Sequence, residues 1–285
     1  MPRPLDTFRT VRDLRTRTAA WRAVGETIAL VPTMGAIHEG HLSLVRLASG
    51  LADHVVTSLF VNPLQFGPRE DFHAYPRDEA RDADVLAGAG SELLYAPDAA
   101  EMYPPGFSTR VHVGDLTEDL CGASRPNHFD GVATVVTKLL LQCAPDKAIF
   151  GEKDYQQLLV IKRFVRDLNI PVEIIGGPIA READGLALSS RNAYLSADER
   201  QIAPILHETI QQTAADIAEG RGADDAAEAA RFKLEAAGFR VDYVAVRDPE
   251  TLAHLHGLVT TARVLAAVHL GKTRLIDNVP VPPVG

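Results

Sequence analysis

"TIALV", Thr27–Val31, runs directly into "PTMGAIHEGH", Pro32–His41. The first piece is short, apolar and β-branched at Thr27, Ile28 and Val31, which predicts a buried strand. The second holds two histidines three residues apart and two glycines, and a helical pattern from His38 to Leu51 begins within it. A strand, a glycine-bearing turn and a helix in succession place the turn at the carboxyl end of a sheet. Ligands gather there in open parallel sheets, because helix N-termini point unpaired N–H groups outward. Gly35 lets a phosphate approach the backbone closely, and Gly40 relieves crowding where the helix starts. His38 and His41 fall on one helix face. Imidazoles in that position can donate to phosphate oxygens and stabilise charge as it develops.

Working outward, the same grammar repeats. "HVVTSLFV" (54–61), "SELLYA" (91–96), "DKAIFG" (146–151) and "VEIIG" (172–176) read as further buried strands. Helical patterns lie between them at Pro76–Ala89, Gly131–Leu141 and Tyr155–Leu168, with Pro76 suited to a first helical position. This predicts an α/β fold, a Rossmann-like parallel sheet with helices on both faces, over residues 1–178. From 179 to 285 the pattern changes. Helices are expected at Ser196–Glu219 and Asp224–Ala237, then strands at 240–247 and 262–270, with "GK" turning the chain into "TRLID". That predicts a smaller C-terminal α+β domain.

Composition narrows the function. The chain has 285 residues, 46% of them hydrophobic and 24% charged, with a net charge of −9. An acidic balance argues against nucleic acid as the main partner but not against a small anion in a local basic pocket. No apolar run approaches the roughly 20 residues that span a bilayer. Cys121 and Cys143 are the two cysteines, which disfavours a disulfide framework or a cysteine zinc site and fits a reducing cytosol. Six arginines fall in the first 22 residues, but Asp6 and Asp13 interrupt them, and "VRDLRTRTAAWRAVG" reads as an amphipathic first helix. A cytoplasmic location is expected.

Three other stretches can carry chemistry. "FGEKDYQQ" (150–157) follows a strand, so Lys153 can meet phosphates as a point charge, although a solvated helix-start lysine and an Asp154 N-cap are the plainer alternatives. "DGLALSSRN" (184–192) supplies two hydroxyls and an arginine. No G-x-S-x-G surrounds them, so no nucleophile elbow is indicated. "FVNPLQFGP" (60–68) offers Asn62 and Gln65 as neutral groups for hydroxyl and carboxylate recognition. Two decoys are weaker. "HEGH" spaces its histidines by three where zinc proteases need four, with no third ligand evident. "AAVHLGKT" (266–273) imitates a phosphate-binding loop but reads as strand, turn and strand.

The motifs "PTMGAIHEGH", "FVNPLQF", "RPNHFDGVATVV", "FGEKDYQQ" and "DGLALSSRN", in this order over residues 27–195, resemble the pantoate–β-alanine ligase family. That family belongs to the Rossmann-like nucleotidyltransferases with an H-x-G-H signature, shared in general form with cytidylyltransferases and some tRNA synthetases. The resemblance implies ATP-dependent condensation of pantoate with β-alanine through a pantoyl adenylate, with Mg²⁺ and a homodimer. It implies an ATP site at Met34, Gly35, Ala36, Ile37, His38, Glu39, Gly40 and His41, at Gly151, Glu152, Lys153 and Asp154, and at Ala180, Leu188, Ser189, Ser190 and Arg191. His41 is the implied proton donor, with His38 and Lys153 also catalytic. Gln65 and Gln157 would hold pantoate, Gln65 would also meet β-alanine, and Arg125 would approach the phosphates or a lid. Leu188 stands where relatives carry Met or Leu. Asn127 replaces the glycine of the family's R-P-G-H-F, which predicts a left-handed backbone there. The rival reading is a cytidylyltransferase acting on a small phosphorylated substrate.

Overall fold

The computed structural model describes residues 5–68, 70, 72 and 74–282. Six parallel strands form one sheet: β1 (Asp6–Phe8), β2 (Ile28–Thr33), β3 (His54–Leu59), β4 (Leu93–Tyr95), β5 (Lys147–Gly151) and β6 (Glu173–Gly177), in the order β1-β4-β3-β2-β5-β6. The helices around them are α1 (Val11–Ala23), α2 (Glu39–Ser49), α3 (Glu79–Ala89), α4 (Ala99–Met102), α5 (Cys121–Ser124), α6 (His128–Cys143) and α7 (Tyr155–Asp167). Ala29 and Val31 of β2 and Val55 of β3 pack with Val45 and Ala48 of α2 and Leu86 of α3. Side chains alternate across a strand, so Ile28, Leu30 and Val56 point to the other face, where α6 packs on β2 and α1 on α6. The central strands β4, β3, β2 and β5 are buried on both sides, which is why these runs are largely apolar.

β2 and β5 are neighbours whose connections diverge. The chain leaves β2 through α2 to β3 on one side, and leaves β5 through α7 to β6 on the other. The carboxyl ends of β2 and β5 therefore form the topological switch point, the place where open α/β sheets leave a crevice for ligands.

The chain divides into two compact units. One holds residues up to Glu152 together with Val160–Pro178, the other Lys153–Leu159 together with the chain from Ile179 on. The second contains α8 (Ala197–Ile202), α9 (Ile205–Ala218) and α10 (Ala223–Ala236), with β7 (Arg240–Arg247), β8 (Arg263–Leu270) and β9 (Thr273–Pro280) as an antiparallel meander. Leu206, Ile210 and Ile217 of α9 and Leu234 of α10 pack with Val264, Val268 and Leu275 of that sheet. Gly271 and Lys272 make the tight turn, with Leu270 paired to Thr273. The P-loop look-alike is thus a hairpin.

Several boundaries differ from expectation. The single helix expected at 196–219 is two, because Pro204 has no N–H to continue α8 and instead opens α9. Pro76 is not the first helical residue, since Asp78 accepts from the Arg81 N–H and starts α3 later. Helix α6 begins three residues earlier than expected, at His128. β1 is an addition to the expected strands, three residues long and polar at Asp6 and Thr7.

At the start of β3, His54 lies between two carboxylates, Nδ1 2.9 Å from Glu92 and Nε2 2.7 Å from Glu26. Burial alone would lower its pKa, but the bonds to Glu26 and Glu92 outweigh it and raise the imidazole above its ordinary value. Trp21 stacks on the ring, centroids 4.1 Å apart and planes 10° from parallel. Among the described residues no helix is long and apolar enough to cross a membrane.

Candidate active site

Where β2 ends, the chain turns through Gly35 at φ +89° and Ala36 at φ +52°. The turn is held by Asp82 of α3, which is 1% exposed. Its Oδ2 accepts from the Ala36 N–H at 2.8 Å and its Oδ1 from the Ile37 N–H at 2.9 Å. A Cβ on Gly35 would sit 3.1 Å from Asp82 Oδ2, on a backbone that side chains rarely adopt. Glycine is required by both. Ile37 is buried in the core and anchors the next residue, His38, as the N-cap of α2.

The two histidines then cap the helix reciprocally. His38 Nδ1 accepts from the Gly40 N–H at 3.1 Å, and His41 Nδ1 accepts from the His38 N–H at 3.3 Å. The rings lie 4.0 Å apart, tilted by 35°. A main-chain N–H can only donate, so both Nδ1 atoms act as acceptors and a neutral ring carries its proton on Nε2. The sequence thus builds two Nε2–H donors at the N-terminus of α2. Glu39 is exposed and paired with Arg46, whose hydrogen bond holds its carboxyl below the usual range.

Beyond β3, Asn62 and Gln65 form a buried amide pair. Asn62 Nδ2 donates to Gln65 Oε1 and to the Gly131 carbonyl, both at 3.0 Å, while its Oδ1 accepts from Leu64 N–H at 3.2 Å and Tyr103 OH at 2.8 Å. Gln65 Nε2 lies 3.1 Å from Met34 Sδ, joining this turn to the one after β2. Gly131 permits the contact with α6, since a Cβ there would fall 2.3 Å from the Leu64 carbonyl oxygen. His128 closes the group, its Nδ1 2.8 Å from the Gln65 carbonyl and its Nε2 2.9 Å from Arg125. Arg125 also makes two 2.7 Å bonds to Glu70. Burial pushes the Glu70 carboxyl up, and Arg125 more than offsets it, leaving the group below its usual range. Asn127, between Arg125 and His128 in the chain, has φ 64° and ψ 1°, the left-handed conformation expected from the sequence.

β5 ends at Gly151, with Glu152 next, beside the end of β2 in the same sheet. The remaining candidates belong to the second unit. Lys153 and Gln157 are half-buried and Asp154 is exposed. The Lys153 carbonyl accepts from Asn278 Nδ2 at 3.1 Å. Ala180 and Leu188 face each other across a small hairpin, Leu188 N–H donating to the Ala180 carbonyl at 2.9 Å. Ser189 then caps a short 3-10 turn, its Oγ accepting from the Arg191 N–H at 3.3 Å. Charged pairs brace this hairpin. Arg181 meets both oxygens of Asp277 at 2.7 and 2.9 Å, and Arg200 meets Glu182 and Asp184 at 2.6 Å each.

Met34–His41, Gln65, Gly151 and Glu152 belong to one unit, and Lys153, Asp154, Gln157, Ala180 and Leu188–Arg191 to the other. Sequence reasoning missed Asp82, Glu70, Asp277 and Asn278. Each is a lone acid or amide far from the segment it holds, and no short-range pattern marks it.

Fold and loop together define a Rossmann-like α/β protein with an H-x-G-H segment at the switch point of its sheet. A family model for pantoate-beta-alanine ligase matches residues 6–280. The pantothenate synthetase of Rhodospirillum rubrum is 58% identical over 281 residues, covering 98% of this chain and all of that one. The crystal structure of pantothenate synthetase from Thermus thermophilus superposes with a TM-score of 0.92 at 49% identity, over 98% of this chain and all of that one. A pantoate-beta-alanine ligase from Francisella tularensis, crystallised with beta-gamma ATP and β-alanine, superposes at 0.82 with 33% identity over 96% of this chain and 97% of that one. This chain belongs to the pantoate-beta-alanine ligase family, and its reaction forms pantothenate.

Proposed function

We propose that the ligase uses ATP, entering as its Mg²⁺ complex, in two steps. A pantoate carboxylate oxygen attacks the α-phosphorus, the bond to the bridging oxygen breaks, and pyrophosphate leaves. The β-alanine amine then attacks the acyl carbon of the adenylate, AMP departs, and the amine gives up a proton. The observation that carries this reading is the reciprocal cap of His38 and His41. It supports two Nε2–H donors and a helix N-terminus acting on the same anion.

In this reading the nucleotide meets Met34, Gly35, Ala36, Ile37, His38, Glu39, Gly40 and His41, then Gly151, Glu152, Lys153 and Asp154, and Ala180, Leu188, Ser189, Ser190 and Arg191. His41 donates an Nε2–H hydrogen bond as charge builds on the leaving pyrophosphate, His38 gives a second, and Lys153 supplies positive charge. Gln65 and Gln157 hold pantoate, and Gln65 also lies near β-alanine. Neutral amides suit that task, because they bond hydroxyls and a carboxylate without quenching the nucleophile as a buried cation would. The ATP analogue and β-alanine bound by the Francisella relative support the same substrates here. Cys121 and Cys143 are not joined in a disulfide, which suits a reducing cytoplasm, and burial pushes the Cys143 thiol up to about 12. The homodimer implied by the family is measurable by light scattering.

The test is exchange of labelled pyrophosphate into ATP. Pantoate alone supports exchange if adenylation comes first. A strict requirement for β-alanine overturns the two-step scheme.

A further inference from the structure

Leu275 and Val279 of β9 and, just beyond its end, Val281 lie in the core. Asp277 and Asn278 fall between Leu275 and Val279 and are 3% and 2% exposed. Burying a carboxylate and an amide in a sheet is unfavourable unless both are fully bonded. Their bonds run to distant parts of the chain. Asp277 takes the Arg181 guanidinium with both oxygens, 96 residues away in sequence. Asn278 donates from Nδ2 to the Lys153 carbonyl, 125 residues away.

Consecutive strand residues point to opposite faces, so one dipeptide holds a different segment on each side of the sheet. Its own place is fixed by pairing with β8, Ala266 opposite Asp277 and Leu265 opposite Asn278. The Asn278 side is buttressed further. Asn278 Oδ1 accepts from Arg263 Nε at 2.6 Å, and the Arg263 guanidinium lies 3.6 Å from the centre of the Tyr155 ring, two residues after Lys153. On the Asp277 side, Arg181 also donates to the Gly185 carbonyl at 3.0 Å, which ties the turn of the Ala180–Leu188 hairpin to its base. His207 adds its Nδ1 3.2 Å from Asp277 Oδ2.

We propose that Asp277 and Asn278 are positioning residues for the reaction, acting through Lys153 and through the hairpin that carries Leu188–Arg191. The inference rests on the nucleotide reading of those segments given above. Because both segments are held by adjacent residues of one strand, their spacing is set by a single rigid element rather than by two loops. Preorganised groups lose rate steeply when displaced, about 10²-fold for roughly 1 Å. The bonds therefore bear on turnover as well as on the fold.

Asn278→Asp tests the first half. It keeps the Oδ1 acceptor for Arg263 but replaces the donor facing the Lys153 carbonyl with an acceptor. The expected result is a fall in kcat of about tenfold or more in protein that circular dichroism shows to be folded at the assay temperature, even with a lowered melting temperature. In a cycle with Lys153→Ala, the double variant should be no slower than Lys153→Ala alone, since both changes act through one group. A purely structural role would multiply the two losses, and that result overturns the proposal. So does a wild-type kcat in Asn278→Asp beside a slow Lys153→Ala. A wild-type rate in Lys153→Ala overturns the nucleotide reading itself, and the inference with it. Arg181→Lys tests the second half without leaving Asp277 uncompensated. It should raise KM for ATP several-fold and leave KM for β-alanine unchanged. Equal changes in both, or none, refute that half.

Discussion

The turn after β2 and the hairpin from Ala180 to Leu188 are both nucleotide-facing in our reading, yet they are built differently. The first is main-chain architecture: a buried Asp82 grips two N–H groups, glycine takes a left-handed bend, and two imidazoles cap a helix. The second is a hairpin with few bonds of its own, braced by ion pairs to Asp277 and from Arg200. A main-chain cradle has its donors fixed by local geometry. An ion-paired hairpin depends on charge, so its stability answers to pH.

The largest contrast should come from cutting a brace. Arg181→Met strands a buried Asp277 and should cost about 3 kcal/mol or more in unfolding free energy, measured by urea titration. Burial pushes the Asp277 carboxyl up, but His207 and Arg181 outweigh it and hold the group below its ordinary value of 3.8. Its contribution is therefore present above the unfolded-state pKa and lost as pH falls through the folded one. The gap between wild type and Arg181→Met should be full at neutral pH and close in acid. A gap that persists unchanged there would mean the pair is not what braces the hairpin.

Removing a donor from the cradle should instead act on rate. His41→Ala should slow turnover by about 10²-fold or more with melting nearly retained. Collapse of the fold would mark the imidazole as a cap and no more. Asp82→Asn is subtler, since the amide keeps the shape but faces one N–H with a donor of its own. It should lower stability by about 1–3 kcal/mol and reduce turnover with it. Loss of stability at unchanged kcat would separate the clamp from the chemistry.

The smallest effects belong to Asn127. Asn127→Gly should be nearly neutral in melting. Asn127→Val should cost about 1–2 kcal/mol, because a β-branched residue resists positive φ. Equal behaviour of the two would show that the left-handed backbone there is not under strain.

The sequence revealed the cradle more readily than the hairpin, and the physics above explains why. "PTMGAIHEGH" carries its own cues, because left-handed turns favour glycine and a cap needs a side chain within three residues. The central strands β2 to β5 were legible for a similar reason, since burial on both faces favours apolar runs. β1 escaped because an edge strand of three residues needs no such run. The helix at 196–219 misled because amphipathic spacing continues across Pro204 while the hydrogen bonds do not. Asp82, Asp277 and Asn278 stayed hidden for a different reason. Each bonds a partner at least 45 residues away, and a single sequence shows no sign of such pairing.

The stack of Trp21 on His54 makes the protein its own optical gauge. Trp21 is the sole tryptophan of the chain, so its emission comes from one place, a ring lying flat against an imidazole clasped by Glu26 and Glu92. A charged imidazole quenches indole light, whereas a neutral one does so weakly. With the His54 pKa raised above its ordinary value of 6.5, the rise in emission of the folded protein should be centred above that value. The clasp itself then loosens, because stability gained from a raised histidine pKa is lost as pH climbs through the folded value. A fluorimeter and a series of buffers would read the proton on His54 directly, at the end of the sheet opposite the H-x-G-H loop.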